Sequence, residues 1–448
     1  MQDRTDEAEQ TYNESLRLCT WSPEDLQGQI RALTGLGILH KRTGTAETYF
    51  RQARDVSRKL GDEPRSTAWL ERELGDALRL QGRFPEAEQN IRASVHTFRN
   101  LHMEFEQAHS LRTLAMLLVF TGRFRDAENC FSKSMELFDR CTQGQPRMYE
   151  SFWIRLGLGD VALGRRDFKQ ARDLYSEALK LCEGSEFETA VVLGSLADLS
   201  CVEQQWEPCM DYADQSLDLR RGHGDKFGIG WELSTKGTAF VRQQRLSDAL
   251  DCFRGGLQLM REYHSPFVES KLTLGLCEVY CLQRDIRSFR NAAGRVRSWA
   301  EKFGYPDQMA RLHVLRGLFA LQRLDGRAPT PRLLTAIGKK FGVALRNALR
   351  HSVFFLDETA RDIRETLERC EALQASGKAE ILQALMRDWV SGTDTINSER
   401  LEREAEYGHR KTATISEQFA PFRGKEHFRR RDHRWSASKT NAHDEGEE

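Results

Sequence analysis

The chain is 448 residues long and carries 67 basic and 67 acidic side chains, a formal charge of zero that argues against general polyanion binding as its main role. Hydrophobic residues make up 39% and charged residues 30%, and no apolar run reaches the roughly 18 residues that a membrane span requires. The opening MQDRTDEAEQ is polar and acidic, so neither a signal peptide nor a transit peptide is expected.

Residues 6–18, DEAEQTYNESLRL, set Ala8, Tyr12 and Ser15 at the same helical spacing as Ala87, Ile91 and Ser94. They fit the second helix of a pair whose first helix would precede Met1. The expectation is that the chain is the C-terminal part of a longer protein, unless another segment covers the apolar stripe so left bare. From there a small residue recurs as a landmark at Gly37, Gly75, Ala115, Gly159, Ala197, Gly237, Cys277 and Gly317, at spacings of 38, 40, 44, 38, 40, 40 and 40. Nine residues after the landmarks from Gly75 to Cys277 stand Phe84, Phe124, Phe168, Trp206, Leu246 and Ile286; twelve after stand Ala87, Ala127, Ala171, Cys209, Ala249 and Phe289. Small residues at fixed offsets mark close helix crossings, and the large ones fill the space beside them.

Gly82 and Gly122 fall seven residues after their landmarks, where a first helix must stop and the chain reverse. In the repeat of Gly37, Ala46 and Phe50 come three residues early, which predicts a tighter turn or a shifted register in the second helix. Lys236 and Arg316 replace the Leu that precedes other landmarks. A helix pair of this size buries its apolar faces only by stacking on its neighbours. The predicted fold is therefore all-α, a right-handed α-solenoid of antiparallel helix pairs held by nearest-neighbour contacts.

The phrase Leu74-Gly75…Phe84…Ala87…Ile91 and its copies resemble the tetratricopeptide repeat (TPR), over residues 1–324. The family period is about 34 residues; here it is nearer 40, similar to the long repeats of kinesin light chains and MalT-like sensor arms. The resemblance implies a concave groove lined by first helices, with positions six before and one after the landmark pointing inward. By that register Trp69, Trp153 and Trp231 would be aromatic platforms, and Asp76, Asp160, Asp198 and Glu278 an acidic row suited to a basic peptide or protein. The alternative is that the tryptophans wedge between repeats and the acids are solvated or pair with Arg72, Arg79 and Arg155. The Lys/Asn/Lys/Arg carboxylate clamp of chaperone-binding TPR domains is disfavoured, because Asp76, Asp160 or Asp198 fills its Asn slot and would repel a ligand carboxylate.

Nothing in the sequence points to catalysis, a cofactor or a metal. There is no phosphate loop, nucleophile elbow or His-Glu-x-x-His, and Gly35-Leu36-Gly37 sits in a helical repeat with no strand before it. Ten scattered cysteines lack zinc-site spacing and read as reduced core residues in a cytoplasmic protein. The repeat pattern ends near Leu324, and residues 325–331 form a loop by composition. Residues 325–390 are predicted to hold closing or capping helices: one with a basic face over 332–350, then 358–374 and 378–390. Residues 391–448 read as a polar, mostly disordered tail.

In that tail Arg423, Lys425, Arg429, Arg430, Arg431 and Arg434 interleave with Phe422, Phe428 and Trp435, a pattern that can bind single-stranded nucleic acid, serve as a docking or localisation peptide, or fold back on the groove as a latch. The functional reading is a non-catalytic protein-interaction scaffold, the sensor or recruitment arm of a larger signalling protein. The alternatives are a stand-alone adaptor or peptide receptor, and an RNA-associated repeat protein that uses the tail.

Overall fold

The computed structural model describes residues 2–322 apart from 22–24, 43, 61–63, 142–147 and 183. The chain divides into two units, Met1–Ser398 and Glu399–Glu448, and every described residue belongs to the first. The helices expected in 325–390 and the basic tail patch at 421–435 lie outside the described residues.

Sixteen α-helices account for most of the described residues: α1 (Gln2–Trp21), α2 (Leu26–Leu39), α3 (Ala46–Lys59), α4 (Pro64–Gln81), α5 (Phe84–Asn100), α6 (Glu104–Phe120), α7 (Phe124–Cys141), α8 (Met148–Gly164), α9 (Phe168–Leu181), α10 (Glu186–Val202), α11 (Trp206–Gly222), α12 (Lys226–Arg242), α13 (Leu246–Tyr263), α14 (Pro266–Leu282), α15 (Ile286–Phe303) and α16 (Pro306–Gln322). Every landmark falls in an even-numbered helix, and each even-numbered helix from α2 to α14 pairs with the odd-numbered one that follows. The long period is taken up by the helices themselves: α4 to α7 have 18, 17, 17 and 18 residues.

The turn between paired helices has one geometry throughout. Seven residues after each landmark from Gly37 to Cys277 the backbone is left-handed, at Gly44, Gly82, Gly122, Arg166, Gln204, Gln244 and Arg284. Only the first three are glycines, so a search for glycine finds the turn in the early repeats and misses it later. The other four accept a conformation that costs an L residue roughly 1–2 kcal/mol, offset by the packing of the helices on either side.

The landmarks work by making room. A Cβ built on Gly159 would lie 2.5 Å from the Tyr175 ring, and one on Gly237 2.5 Å from the Phe253 ring. Two residues before the landmark, a second small residue holds the aromatic of the preceding repeat: a Cβ on Gly157 would lie 2.1 Å from Phe131 and one on Gly275 2.4 Å from Phe253. Each such aromatic is a knob between two successive first helices, and Phe253, 1% exposed, is seated between two glycines.

Tyr12 of α1 meets Gly35 in the same way, at 2.4 Å from a built Cβ, so α1 packs as a second helix. In the shifted repeat the Phe50 ring still meets Gly37, at 2.5 Å from a built Cβ. A one-turn 3₁₀ segment, His40–Arg42, precedes α3, and Ala46 is its first residue, whereas Ala87 is the fourth of α5. The register has moved.

Burial separates the two helix classes. α5 buries one stripe, Phe84, Ala87, Ile91, Ser94 and Phe98, at steps of three and four. α6 buries residues around most of its circumference, including Ala108, Leu111, Leu114, Ala115, Leu118 and Val119, because first helices touch their own partner, the preceding second helix and the next first helix. Second helices form the outer layer and first helices the inner one.

The expectation of purely nearest-neighbour contacts is corrected by a seam that joins early repeats to late ones. The Tyr263 hydroxyl donates to the Lys41 carbonyl at 3.1 Å, Ser265 Oγ to the Leu80 carbonyl at 3.0 Å, and the Tyr305 hydroxyl to the Gly82 carbonyl at 2.9 Å. Around these bonds the Phe267 ring lies 5.1 Å from Phe84, 5.9 Å from Phe120 and 5.1 Å from Tyr305. A Cβ on Gly82, whose φ is +80°, would come within 2.3 Å of the Phe267 Cβ. The inner layer has curled until the turns after α2 and α4 meet the starts of α14 and α16. Sequence periodicity encodes contacts between adjacent repeats, and it is silent on how far the accumulated rotation carries the chain.

Candidate functional site

Closure of the seam turns the concave face into a partly open cavity of about 370 Å³, within the range of ligand-binding pockets. Its walls come mostly from the first helices, and four of the residues expected in the groove are on them: Trp153, Asp160, Asp198 and Trp231. The other three are elsewhere. Trp69 lines a separate pocket with Phe98, Phe105 and His109, and Asp76 and Glu278 are held in ion clusters.

Asp76 accepts from Lys41 Nζ at 2.9 Å and from Arg79 at 2.8 Å, and Glu73 beside it pairs with Lys41 at 2.6 Å and Arg72 at 2.9 Å. These cations outweigh the burial that would raise it and hold the Asp76 carboxyl far below the usual range. The argument against a ligand carboxylate here assumed an unpaired Asp76; paired twice, it offers no net negative charge. Glu278 is likewise bridged by Arg242 at 2.8 Å and Arg311 at 2.9 Å.

On α10 and α12 the acids are less compensated. Asp198 orients its neighbours: Trp231 Nε1 donates to Oδ2 at 2.7 Å and Thr235 Oγ1 to Oδ1 at 2.6 Å. The Trp231 ring, stacked on Phe267 at 6.1 Å, carries Lys271 Nζ 3.5 Å from its centroid, a cation–π contact. Asp160 accepts from the Tyr175 hydroxyl at 2.8 Å, and burial, reinforced by the charge of Asp198, raises its carboxyl to about 7.

Glu232, which the repeat register does not pick out, is 0% exposed. Its Oε1 is 3.2 Å from Ser216 Oγ and 3.5 Å from Arg220 Nη2, while its Oε2 is enclosed with no hydrogen-bond partner. Burial pushes this carboxyl up to about 7 against the pull of Arg220. Arg220 also pairs with Asp225, the N-cap of α12, whose side chain accepts from the Gly228 N–H. Two glycines make space for the network: a Cβ on Gly194 would lie 2.1 Å from Glu232 Oε1 and one on Gly228 1.9 Å from Arg220 Nη1. Those glycines were its only trace in the sequence, since an acid next to Trp231 otherwise reads as a solvated face.

Two further unpartnered groups, at and beside the cavity wall, are donors. Trp153 Nε1 is enclosed without an acceptor, and so is Nε of Arg112, whose guanidinium carbon is 5.9 Å from the Trp153 ring centroid. Burial holds the Arg112 guanidinium below its usual value. Among the described residues no group of three or more His, Cys, Asp or Glu could hold a metal, and no helix is long and apolar enough to cross a membrane.

Family models of the tetratricopeptide repeat match residues 66–140 and 112–186, the stretch from α4 to the start of α10. Residues 66–186 carry tetratricopeptide repeats. No curated protein matches it. Among solved structures, a Rap protein complexed with competence and sporulation factor superposes with a TM-score of 0.47 at 13% identity, over 80% of this chain and 100% of that one. Aspartyl phosphate phosphatase F from Bacillus subtilis gives 0.48 at 10% identity, over 82% and 96%, and yeast Tom70 gives 0.36 at 15%, over 86% and 93%. TPR arrays present extended concave surfaces for binding, so the fold and the family agree on a protein-interaction scaffold. The long-repeat subtype rests on the 40-residue period alone.

Proposed function

We propose that this TPR protein is a non-catalytic scaffold that takes a peptide segment of its partner into the interior cavity, with a basic side chain of the peptide directed at Glu232 and Asp198. The observation that supports it is the unpartnered Glu232 Oε2 in the cavity wall. A fully buried carboxylate with one oxygen unbonded and its counter-charge at 3.5 Å keeps part of its desolvation cost, and an arriving ammonium or guanidinium would relieve that cost. Aromatic walls at Trp153, Phe227, Trp231 and Phe267 suit the aliphatic stem of such a side chain. A recruitment or sensor arm fits this site, because a ligand inside touches residues of the seam. The same site would serve a stand-alone peptide receptor. Nine free cysteines among the described residues, most of them at least partly buried in repeat helices, suit a reducing cytoplasm.

A stability measurement probes this incompletely compensated charge. The Glu232 carboxyl has a folded value of about 7 against 4.5 for the free group. Below about pH 4 both states are protonated and there is no penalty. Between pH 4.5 and 7 the unfolded chain ionises first, so stability falls as pH rises, and above pH 7 the penalty is complete. Glu232→Gln is therefore expected to stabilise the fold by about 2–3 kcal/mol at pH 8 and to leave it unchanged at pH 4, read from urea unfolding. In a displayed random peptide library, wild-type protein should enrich lysine- or arginine-bearing sequences and Glu232→Gln should lose that enrichment. Equal enrichment by both proteins would refute the reading.

A further inference from the structure

The interior has a second pole whose unmet groups are all donors. Arg112 on α6 reaches Met116 Sδ at 4.0 Å and lies against Trp153. Among the described residues it forms no ion pair, unlike nearly every other cation of the inner layer. The carboxylates whose charges reach it are Asp76 and Glu73, and each already holds two cations, Lys41 with Arg79 and Lys41 with Arg72. Both carboxylates are thus committed to Lys41, Arg72 and Arg79, and neither is left to pair with Arg112. Trp153 Nε1–H, enclosed and without an acceptor, adds a neutral donor beside Arg112. Met116 and Trp153 both line the cavity, and Arg112 packs against these two wall residues.

The enclosed Nε–H of Arg112 and the enclosed indole N–H of Trp153, neither with an acceptor, each forgo a hydrogen bond that water would have supplied. A carboxylate satisfies both at once: the guanidinium fork offers parallel N–H groups matched to its two oxygens, and such charge-assisted bonds are the stronger kind. We propose that Arg112 and the Trp153 indole form a carboxylate-binding subsite, which receives an acidic side chain or the terminal carboxylate of the peptide whose basic group faces Glu232. This deepens the proposed function by making the interior select a bipolar segment. It differs from the four-residue chaperone clamp in its residues: one guanidinium and one indole carry it, and Asp76, in the clamp's Asn slot, is spent on Lys41 and Arg79.

The probe is benzoate, with benzamide as its uncharged isostere, added to the full chain with ¹⁵N-labelled tryptophan. Benzoate carries no cation and does not engage Glu232, so its binding is independent of whether basic peptides bind. Benzoate is expected to shift the Trp153 indole resonance in a saturable way, benzamide to bind at least about tenfold more weakly, and Arg112→Met to lose benzoate by a similar factor. Equal responses to the two probes, no response of the Trp153 indole, or undiminished benzoate binding by Arg112→Met would each overturn the proposal. If Arg112→Met does not fold, the wild-type comparison of the two probes decides alone. With a peptide selected from the display library, loss of affinity on C-terminal amidation assigns the subsite to the terminus, and loss on Glu→Gln exchange within the peptide assigns it to a side chain. A peptide that keeps its affinity through both changes contradicts the subsite.

Discussion

Replacing Arg220 by Met is expected to destabilise the fold by about 3–5 kcal/mol at pH 8, the range for removing one partner of a buried ion pair. Arg220 is 8% exposed and holds the α11–α12 junction together: it pairs with Asp225 and Glu232, donates from Nε to Ser216 Oγ at 3.0 Å, and lies 3.5 Å from the Ala190 carbonyl. Methionine keeps most of the packing volume and removes the charge. Asp225 then caps α12 without its counter-ion, and Glu232 loses its ion-pair partner.

The pH dependence separates charge from packing. Near pH 5, where Glu232 is neutral in the folded state, its share of the loss disappears, so the variant should be visibly less impaired than at pH 8. Combining Arg220→Met with Glu232→Gln should recover part of the loss at pH 8, a positive coupling in a double-mutant cycle. An equal loss at both pH values with strict additivity would mean that Arg220 acts through its methylenes alone. Chemical denaturation of the four proteins at the two pH values makes the comparison.

The second large effect belongs to the seam. Phe267→Ala is expected to cost about 3 kcal/mol and, unlike an ordinary core truncation, to open the interior. The ring joins Phe84, Phe120 and Tyr305 to Trp231, and so couples two hydrophobic clusters, one built from early repeats and one from late ones. Its loss should widen the particle in small-angle X-ray scattering and shift Trp231 emission to the red, as the indole gains water. The control is Phe289→Ala on α15. That ring is 4% exposed and stacks on Phe319 at 4.4 Å, so its truncation costs a comparable amount within one end of the array. The control should lower stability and leave the scattering profile unchanged. If Phe267→Ala also leaves the profile unchanged, the seam contributes packing without setting the shape.

What the sequence revealed and what it hid divide along the range of the interactions. The landmarks, the alanines twelve residues later and the aromatic knobs were legible because each repeat solves the same local problem: a small residue on one helix makes way for a ring on the next. Even the early Ala46 and Phe50 kept that logic and altered only the starting point of α3. The seam was illegible because Tyr263, Ser265, Phe267 and Tyr305 meet residues some 185 to 223 positions away, beyond any periodic signal.

The candidate site was half legible for the same reason. Register alone brought Trp153, Asp160, Asp198 and Trp231 to the cavity wall. It also selected Asp76 and Glu278, since it does not reveal that Lys41, Arg79, Arg242 and Arg311 come from other helices or later turns to neutralise them. Glu232 and Arg112, on which the proposals depend, differ from dozens of other charged residues only in what surrounds them after folding.

The most direct test of peptide binding in the interior is photo-crosslinking. A lysine-bearing peptide selected from the display library is given a photoreactive phenylalanine analogue beside its lysine, irradiated with the full chain, and its adducts are located by mass spectrometry. Binding at Glu232 and Asp198 predicts adducts on the inner helices α8, α10 and α12, suppressed when Glu232→Gln replaces the wild type. Adducts concentrated on the outer helices α9, α11 and α13, at the same yield in both proteins, would contradict it.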